Sequence, residues 1–360
     1  MKICIIGAGN SGCAHAFKFT EYGHEVRLVK TSHSLHDDYF DHIVKDNLIH
    51  AIDHTQNSRE SYQKISMITR DLEKGITGAD IVLIMTQSLQ HDELAPRVAP
   101  LLIDGQVVVL IPGNMGSFIF KRFAPKGVII GEGESTPFDA RIEDDFKVHV
   151  LFRNVRNAVS FIPASSSVYG IEKMKNLYET YGYLRKNVIE SGLHNPNLIV
   201  HTVGAIMSAA RIEKMNGDFW MYRESFSPAV WNLVEQLDEE KNSVLKAFGC
   251  ERLDYLDACK FRNENDLSVD ALKVFQAYAA NGGPKGPQTL KTRFMYEDIP
   301  NGLCLLSSLA NHIGIETPVC NALITIGCSL MKTDYWKVAR TPERLGLSEM
   351  SKKQIIDYIS

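Results

Sequence analysis

The chain has 360 residues, 44% of them hydrophobic and 23% charged, with a formal net charge of −4 at pH 7. That length supports two domains with cores of their own, and the slightly acidic balance leaves no basic footprint for nucleic acid. The seven cysteines are odd in number and contain no C-x-x-C pair, which argues against a disulfide framework or a zinc site and fits reduced thiols in a cytoplasmic protein.

Lys2–Ile6 reads as a short buried strand that breaks at once into Gly7-Ala8-Gly9-Asn10-Ser11-Gly12. The apolar run is too short for a secretory leader, and no run reaches membrane-spanning length, so neither is expected. From Ser11 to Tyr22 the pattern turns helical, Gly23 closes the helix, and His24–Val29 is a second strand. The glycines therefore stand on a strand–turn–helix junction, the context a dinucleotide fingerprint requires. Gly7 allows the tight turn, Gly9 lets the backbone approach a pyrophosphate, and Gly12 lets helix and strand pack closely. Asn10 and Ser11 open the helix whose free N–H groups face the phosphates. At the end of the second strand, an NAD site usually carries an acidic residue for the ribose 2′-hydroxyl. Here the residues are Lys30-Thr31-Ser32; a cation and two hydroxyls suit a 2′-phosphate, so NADP is expected in preference to NAD.

The alternation continues with strands at Ile81–Met85, Val107–Ile111 and Gly127–Ile130, which implies a doubly wound parallel sheet. Ligands bind at the carboxyl ends of such strands, which singles out Thr86, Gln87, Asn114 and Glu134. From about Lys175 the strands stop. Helical patterns follow at Pro196–Met215, Ser227–Phe248, Val269–Ala279, Leu303–Ile313 and Pro318–Met331. The reading is an α/β Rossmann-type domain over residues 1–187 and an all-α substrate-binding and catalytic domain over residues 188–360. In dehydrogenases so arranged, the substrate lies between the domains.

Two polar groups stand out in the helical half. His201 lies early in an apolar helix that Asn195-Pro196 opens; a lone histidine there is more often a satisfied core residue. Asp298 precedes Ile299-Pro300, and proline pushes Ile299 toward an extended conformation, so Asp298 is expected on a loop leading into the helix at Leu303. Spacing alone does not join the two.

The chain resembles the opine dehydrogenases, the octopine/nopaline dehydrogenase family, along almost its whole length. The resemblance is carried by GAGNSG, IPGNMGS, NPNLIVHTVGA, GDFWMYRES, LDEEKNSVLKAFG, GPQTLKTRFMYEDIPNGL and GIETPVCNALI. It implies that His201 and Asp298 form a catalytic dyad and that Arg293 binds a substrate carboxylate. The chain departs from the family's pattern at two places. Lys30 or Thr31 stands where several NAD-using members carry an acidic residue. Thr136-Pro137-Phe138-Asp139-Ala140-Arg141 stands where many read L-P-Y-A-x-R. Asp139 would then add a negative charge near the substrate and favour a basic amino acid.

The resemblance implies an NAD(P)H-dependent oxidoreductase acting on CH–NH groups. It would condense an amino acid with a 2-oxo acid and reduce the resulting imine. The cofactor supplies hydride, a histidine can move protons near neutral pH, and no residue needs a metal. Two alternatives stand beside it: reduction of a 2-oxo acid or ketone, as in ketopantoate or glycerol-3-phosphate reductases, and a non-catalytic NADP-sensing protein. The partners implied are the amino acid and the 2-oxo acid, with no nucleic acid and no membrane; a homodimer is compatible with the sequence.

Overall fold

The computed structural model describes residues 1–281 and 283–360, which form two compact units, Met1–Val188 and Ile189–Ser360.

The first unit carries twelve strands in two sheets. They are β1 (Lys2–Ile6), β2 (Glu25–Val29), β3 (Leu48–Asp53), β4 (Arg59–Lys64), β5 (Met67–Thr69), β6 (Ile81–Ile84), β7 (Val107–Leu110), β8 (Ile129–Gly133), β9 (Phe138–Ile142), β10 (Val148–Arg153), β11 (Ala158–Ile162) and β12 (Tyr183–Leu184). The larger sheet has the order β12-β11-β8-β7-β6-β1-β2-β5. Its strands from β5 to β8 are all parallel, and β11 runs antiparallel to β8. The central strands IVLI and VVVL are fully buried. An unbroken aliphatic run is what a parallel strand covered on both faces requires. Chain order reverses between β1 and β6, and ligands bind such sheets at that switch.

Helices α1 (Asn10–Glu21), α2 (Asp37–Ile43), α3 (Leu72–Ile76), α4 (His91–Val98), α5 (Gly116–Phe123) and α6 (Ser167–Leu177) complete the unit.

The smaller sheet, β4-β3-β10-β9, has no counterpart in the sequence reading. The reason is visible in β4: Arg-Glu-Ser-Tyr-Gln-Lys contains no aliphatic residue and is mostly exposed, so it reads as a solvated loop. The sheet lies over α1. Its Asp53 carboxylate meets the Lys18 ammonium at 2.9 Å, and both side chains are buried. The β8 strand also corrects the expected Gly127–Ile130. It continues through Gly133 because Gly131 lets the Phe161 ring of β11 pack where a Cβ would stand 2.7 Å away.

The second unit is helical, as the sequence pattern implies, and begins in α7 (Val188–Leu193), which spans the boundary. There follow α8 (Asn197–Met207), α9 (Ala209–Met215), α10 (Met221–Glu224), α11 (Pro228–Ala247), α12 (Tyr255–Asn263), α13 (Ala271–Asn281), α14 (Arg293–Tyr296), α15 (Cys304–His312), α16 (Pro318–Met331), α17 (Pro342–Leu345) and α18 (Lys352–Ile359). The single helix expected over Pro196–Met215 is broken. Ser208 leaves the helical region, with φ −109° and ψ 14°, and its hydroxyl bonds that of Ser225 at 2.8 Å. Ser–backbone and Ser–side-chain bonds compete with a helix in this way. Among the described residues, no helix is long and apolar enough to cross a membrane.

Candidate functional site

The glycine turn after β1 is built almost wholly of backbone. Gly7 has φ 123°, and a Cβ there would stand 2.6 Å from the Met85 carbonyl oxygen; only glycine fits. At Gly12 a Cβ would lie 1.7 Å from the Gly7 oxygen, so helix and strand could not approach. Gly9 differs. A Cβ there would meet nothing nearer than the His36 ring at 3.9 Å, so packing within the protein does not demand glycine at that position. A ligand's close approach would. Gly9 is also the N-cap of α1, and no side chain caps the helix. Its first-turn N–H groups and positive dipole end suit a phosphate.

The neighbouring side chains hold this turn. Asn10 Oδ1 accepts the Ile142 N–H at 2.7 Å. The Ser11 carbonyl accepts from His15 Nδ1 at 2.7 Å, and Thr136 Oγ1 lies 3.1 Å from His15 Nε2. His15 is fully buried. Burial, opposed by the Ser11 carbonyl, lowers its pKa to about 4. The ring is therefore neutral, with Nδ1 donating and Nε2 accepting.

Beyond β2, Thr31 is half-buried, Ser32 is exposed and Lys30 is turned inward. Lys30 is 4% exposed. Its ammonium donates to the Leu35 carbonyl at 2.7 Å and lies 3.6 Å from Asp37.

The other residues expected at the carboxyl ends of the parallel strands are at those ends. Thr86 and Gln87 follow β6, and Thr86 Oγ1 is buried without a hydrogen-bond partner among the described residues. Asn114 follows β7 in a left-handed conformation, φ 50°, with its amide 3.3 Å from Ser88 Oγ. Glu134 follows β8. Its Oε2 accepts from Arg185 Nε at 2.8 Å, while its Oε1 is buried and unpartnered among the described residues. Asp139 belongs to β9 in the smaller sheet, on the half-open face opposite Phe138 and Ala140.

One buried carboxylate here escaped the sequence reading. Glu132 accepts the N–H of Met115 at 2.9 Å and of Ser117 at 2.7 Å, fixing the turn before α5. A Cβ on Gly113 would lie 2.4 Å from it. The signal was available: a glutamate inside an apolar strand must be paired.

In the second unit, two glycines assemble a constellation of side chains. Gly302 lets its turn rest on α8, where a Cβ would stand 3.3 Å from the Leu198 Cα. Gly204 admits Met221 of α10, whose Sδ would be 2.8 Å from a Cβ. The first approach brings Asp298 to His201, the second Tyr222. His201 Nδ1 and Asp298 Oδ2 are 2.7 Å apart, and His201 Nε2 lies 3.1 Å from the Tyr222 hydroxyl. Phe294 stacks on the imidazole at a centroid distance of 3.7 Å. Asp298 is 2% exposed and His201 8%. The carboxylate can only accept, so Nδ1 carries a proton. In the neutral ring, Nε2 then accepts from Tyr222.

Asp298 is not on a loop. It is followed by a π-helical turn, Ile299–Leu303, continuous with α15. The Pro300 constraint is met inside that turn, with Asn301 N–H donating to the Glu297 carbonyl at 3.0 Å. Such widened turns recur at functional sites. Arg293 opens α14, five residues before Asp298. Its side chain is 43% exposed, and Nε lies 3.2 Å from Glu297. Its terminal amino groups remain available for a bidentate carboxylate. Tyr222 and Phe294 had no assigned role in the sequence, because short helices and aromatic residues announce only packing.

Comparison with known proteins follows the same division. Residues 184–331 match the family described as NAD/NADP octopine/nopaline dehydrogenase, alpha-helical domain. Residues 3–127 match ketopantoate reductase PanE/ApbA. The chain is 30% identical to an opine dehydrogenase of Arthrobacter sp. (strain 1C) over 295 residues, 79% of this chain and 80% of that protein. Among solved structures, it is similar to octopine dehydrogenase with NADH and L-arginine, with a TM-score of 0.78 at 19% identity, covering 99% of this chain and 98% of that one. It is also similar to yersinopine dehydrogenase bound to NADP+, with a TM-score of 0.73 at 11% identity and 98% coverage of each chain.

Proposed function

The chain belongs to the opine dehydrogenase family, and from that premise we propose that it couples an amino acid to a 2-oxo acid by NAD(P)H-dependent reduction of their imine. The observation that carries the reading is the buried Asp298–His201 pair with the open guanidinium of Arg293 on the helix before it.

The overall reaction consumes one proton: the ammonium, the oxo acid, hydride and a proton give the secondary ammonium and water. When bound, the nicotinamide supplies the hydride. The glycine turn and the uncapped N-terminus of α1 hold its phosphates, with Asn10 and Ser11 in that first turn. Thr86, Gln87 and Glu134 border the nucleotide at the strand ends. Thr31 and Ser32 offer hydroxyls to a 2′-phosphate, which favours NADPH.

Arg293 takes the oxo acid's carboxylate by two parallel hydrogen bonds. His201 accepts a proton from the attacking amine and returns one to the departing hydroxyl. Asp298 keeps the proton on Nδ1, leaving Nε2 for this exchange, and stabilises the imidazolium that forms. Asn114 and Asp139 contact the substrate, Asp139 favouring a basic amino acid.

The match of residues 3–127 to ketopantoate reductase supports a second reading, direct reduction of an oxo acid. One assay separates them. NADPH oxidation is followed with pyruvate, glyoxylate or 2-oxoglutarate, each with and without a panel of amino acids. Consumption that needs both partners is expected; consumption with the oxo acid alone would establish ketone reduction instead.

A further inference from the structure

A histidine outside the fingerprint faces the open side of Gly9, and an arginine stands near it. The first is His36. Its ring is the group nearest the position a Gly9 Cβ would take, at 3.9 Å. It is half-buried and stands in a left-handed conformation, φ 62°. A non-glycine residue adopts that region uncommonly, and such residues gather at functional sites.

The second is Arg141. The bond from the Ile142 N–H to Asn10 Oδ1, 2.7 Å, ties the end of β9 to the first residue of α1. Arg141 is the residue just before this tie and is exposed. Among the described residues, its only hydrogen bond is to the carbonyl of its own neighbour Ala140, at 2.8 Å. Burial, then the charges of Lys30 and Arg141, hold His36 below its ordinary pKa, so the two groups share one local field.

The other cations nearby are occupied. Lys30 is bonded to Leu35. Arg70 donates to the Ser32 carbonyl at 2.5 Å and to Asp37 at 2.7 Å.

We propose that His36 and Arg141 form a phosphate-binding pair over the glycine turn and take a phosphoryl group of the dinucleotide. This rests on the reading that the turn holds that cofactor. The chemistry fits: a guanidinium offers parallel donors to two phosphoryl oxygens, and a neutral imidazole offers one more. The phosphate has two sources. Both nucleotides carry the pyrophosphate; NADPH alone carries the 2′-phosphate.

Direct binding of NADH and NADPH to the full chain, by nucleotide fluorescence, distinguishes them. Arg141→Gln keeps the polar stem without the charge and is expected to raise Kd roughly 10- to 100-fold. His36→Asn keeps a residue that tolerates the left-handed region and should raise it about 3- to 10-fold. Arg141→Lys should recover part of the loss. Weakening of both nucleotides assigns the pair to the pyrophosphate, and weakening of NADPH alone assigns it to the 2′-phosphate. Unchanged Kd values in Arg141→Gln, with wild type binding normally, overturn the proposal. If wild type binds neither nucleotide, the dinucleotide reading falls and takes this one with it.

Discussion

The glycine turn of the first unit and the histidine constellation of the second are built from different parts of the polypeptide. The turn uses backbone: three glycines within six residues, a helix end and two strand ends. The constellation uses side chains drawn from four helical segments, with His201 and Asp298 separated by 97 in sequence. A backbone site is sensitive to any added atom and indifferent to which atom it is. A side-chain site is sensitive to one functional group and to what aims it. Substitutions in the two regions should therefore fail in different ways.

The largest effect is expected in the side-chain site. His201→Ala should lower kcat by about 10²–10⁴-fold and leave NADPH binding nearly intact. Asp298→Asn should lower kcat less, because the ring remains while its tautomer and orientation are no longer fixed. Arg293→Ala should act chiefly on the oxo-acid KM. Steady-state kinetics beside nucleotide titration check all three. A loss of NADPH affinity in His201→Ala would break the division between the regions.

The backbone site should instead show a pH-dependent stability. His15 donates to the Ser11 carbonyl beneath the turn, and burial lowers its pKa from 6.5 to about 4, so the folded ring stays neutral. Above pH 6.5 the ring is neutral folded or unfolded, and nothing is lost. As pH falls through that value, the unfolded chain takes up a proton that the folded chain refuses. Stability should drop by roughly 3 kcal/mol by about pH 4. Thermal midpoints across that window measure it. His15→Asn, whose amide can replace the Nδ1 donor without titrating, should flatten the slope.

Within the turn, Gly9 and Gly12 should separate binding from folding. Gly12→Ala places a Cβ against the Gly7 oxygen and should lower the thermal midpoint or the yield of folded protein. Gly9→Ala meets only the His36 ring. It should leave the midpoint almost unchanged and raise the Kd for NADPH about tenfold or more, as the methyl holds the phosphates off. A Gly9→Ala variant that binds NADPH normally would mean that no ligand approaches there.

These contrasts also explain what the sequence disclosed. The fingerprint was legible because its chemistry is local: the glycines, the strand before and the helix after occupy one short stretch. The parallel strands were legible because burial on both faces leaves unbroken aliphatic runs. The smaller sheet was hidden because β4 is polar throughout and β10 pairs with β3, far back in the chain, where no periodicity links them. His201 looked like a core residue, since nothing near it in sequence shows that Gly302 and Gly204 draw Asp298 and Tyr222 to its two nitrogens. Only resemblance paired it with Asp298. The loop expected around Asp298 was a π-helical turn because tertiary packing of Ile299 against Gly327 outweighed the local preference before proline.

The smallest effect tests how finely the imidazole is aimed. The His201 ring is held by Asp298 on Nδ1, Phe294 on its face and Tyr222 on Nε2. The first is charge-assisted and the second buries area, so both persist when the third is removed. Tyr222→Phe deletes one hydroxyl and keeps the ring that packs edge-on against Tyr278 at 5.3 Å. The expected cost in stability is about 1 kcal/mol, the value of one neutral hydrogen bond. If the hydroxyl only fills space, kinetics should not change. If it holds Nε2 in line for proton exchange, kcat should fall about 3- to 10-fold with KM for both substrates unmoved, the pattern of an interaction felt in the transition state alone. A rise in KM without a fall in kcat would place Tyr222 on the substrate rather than on the histidine.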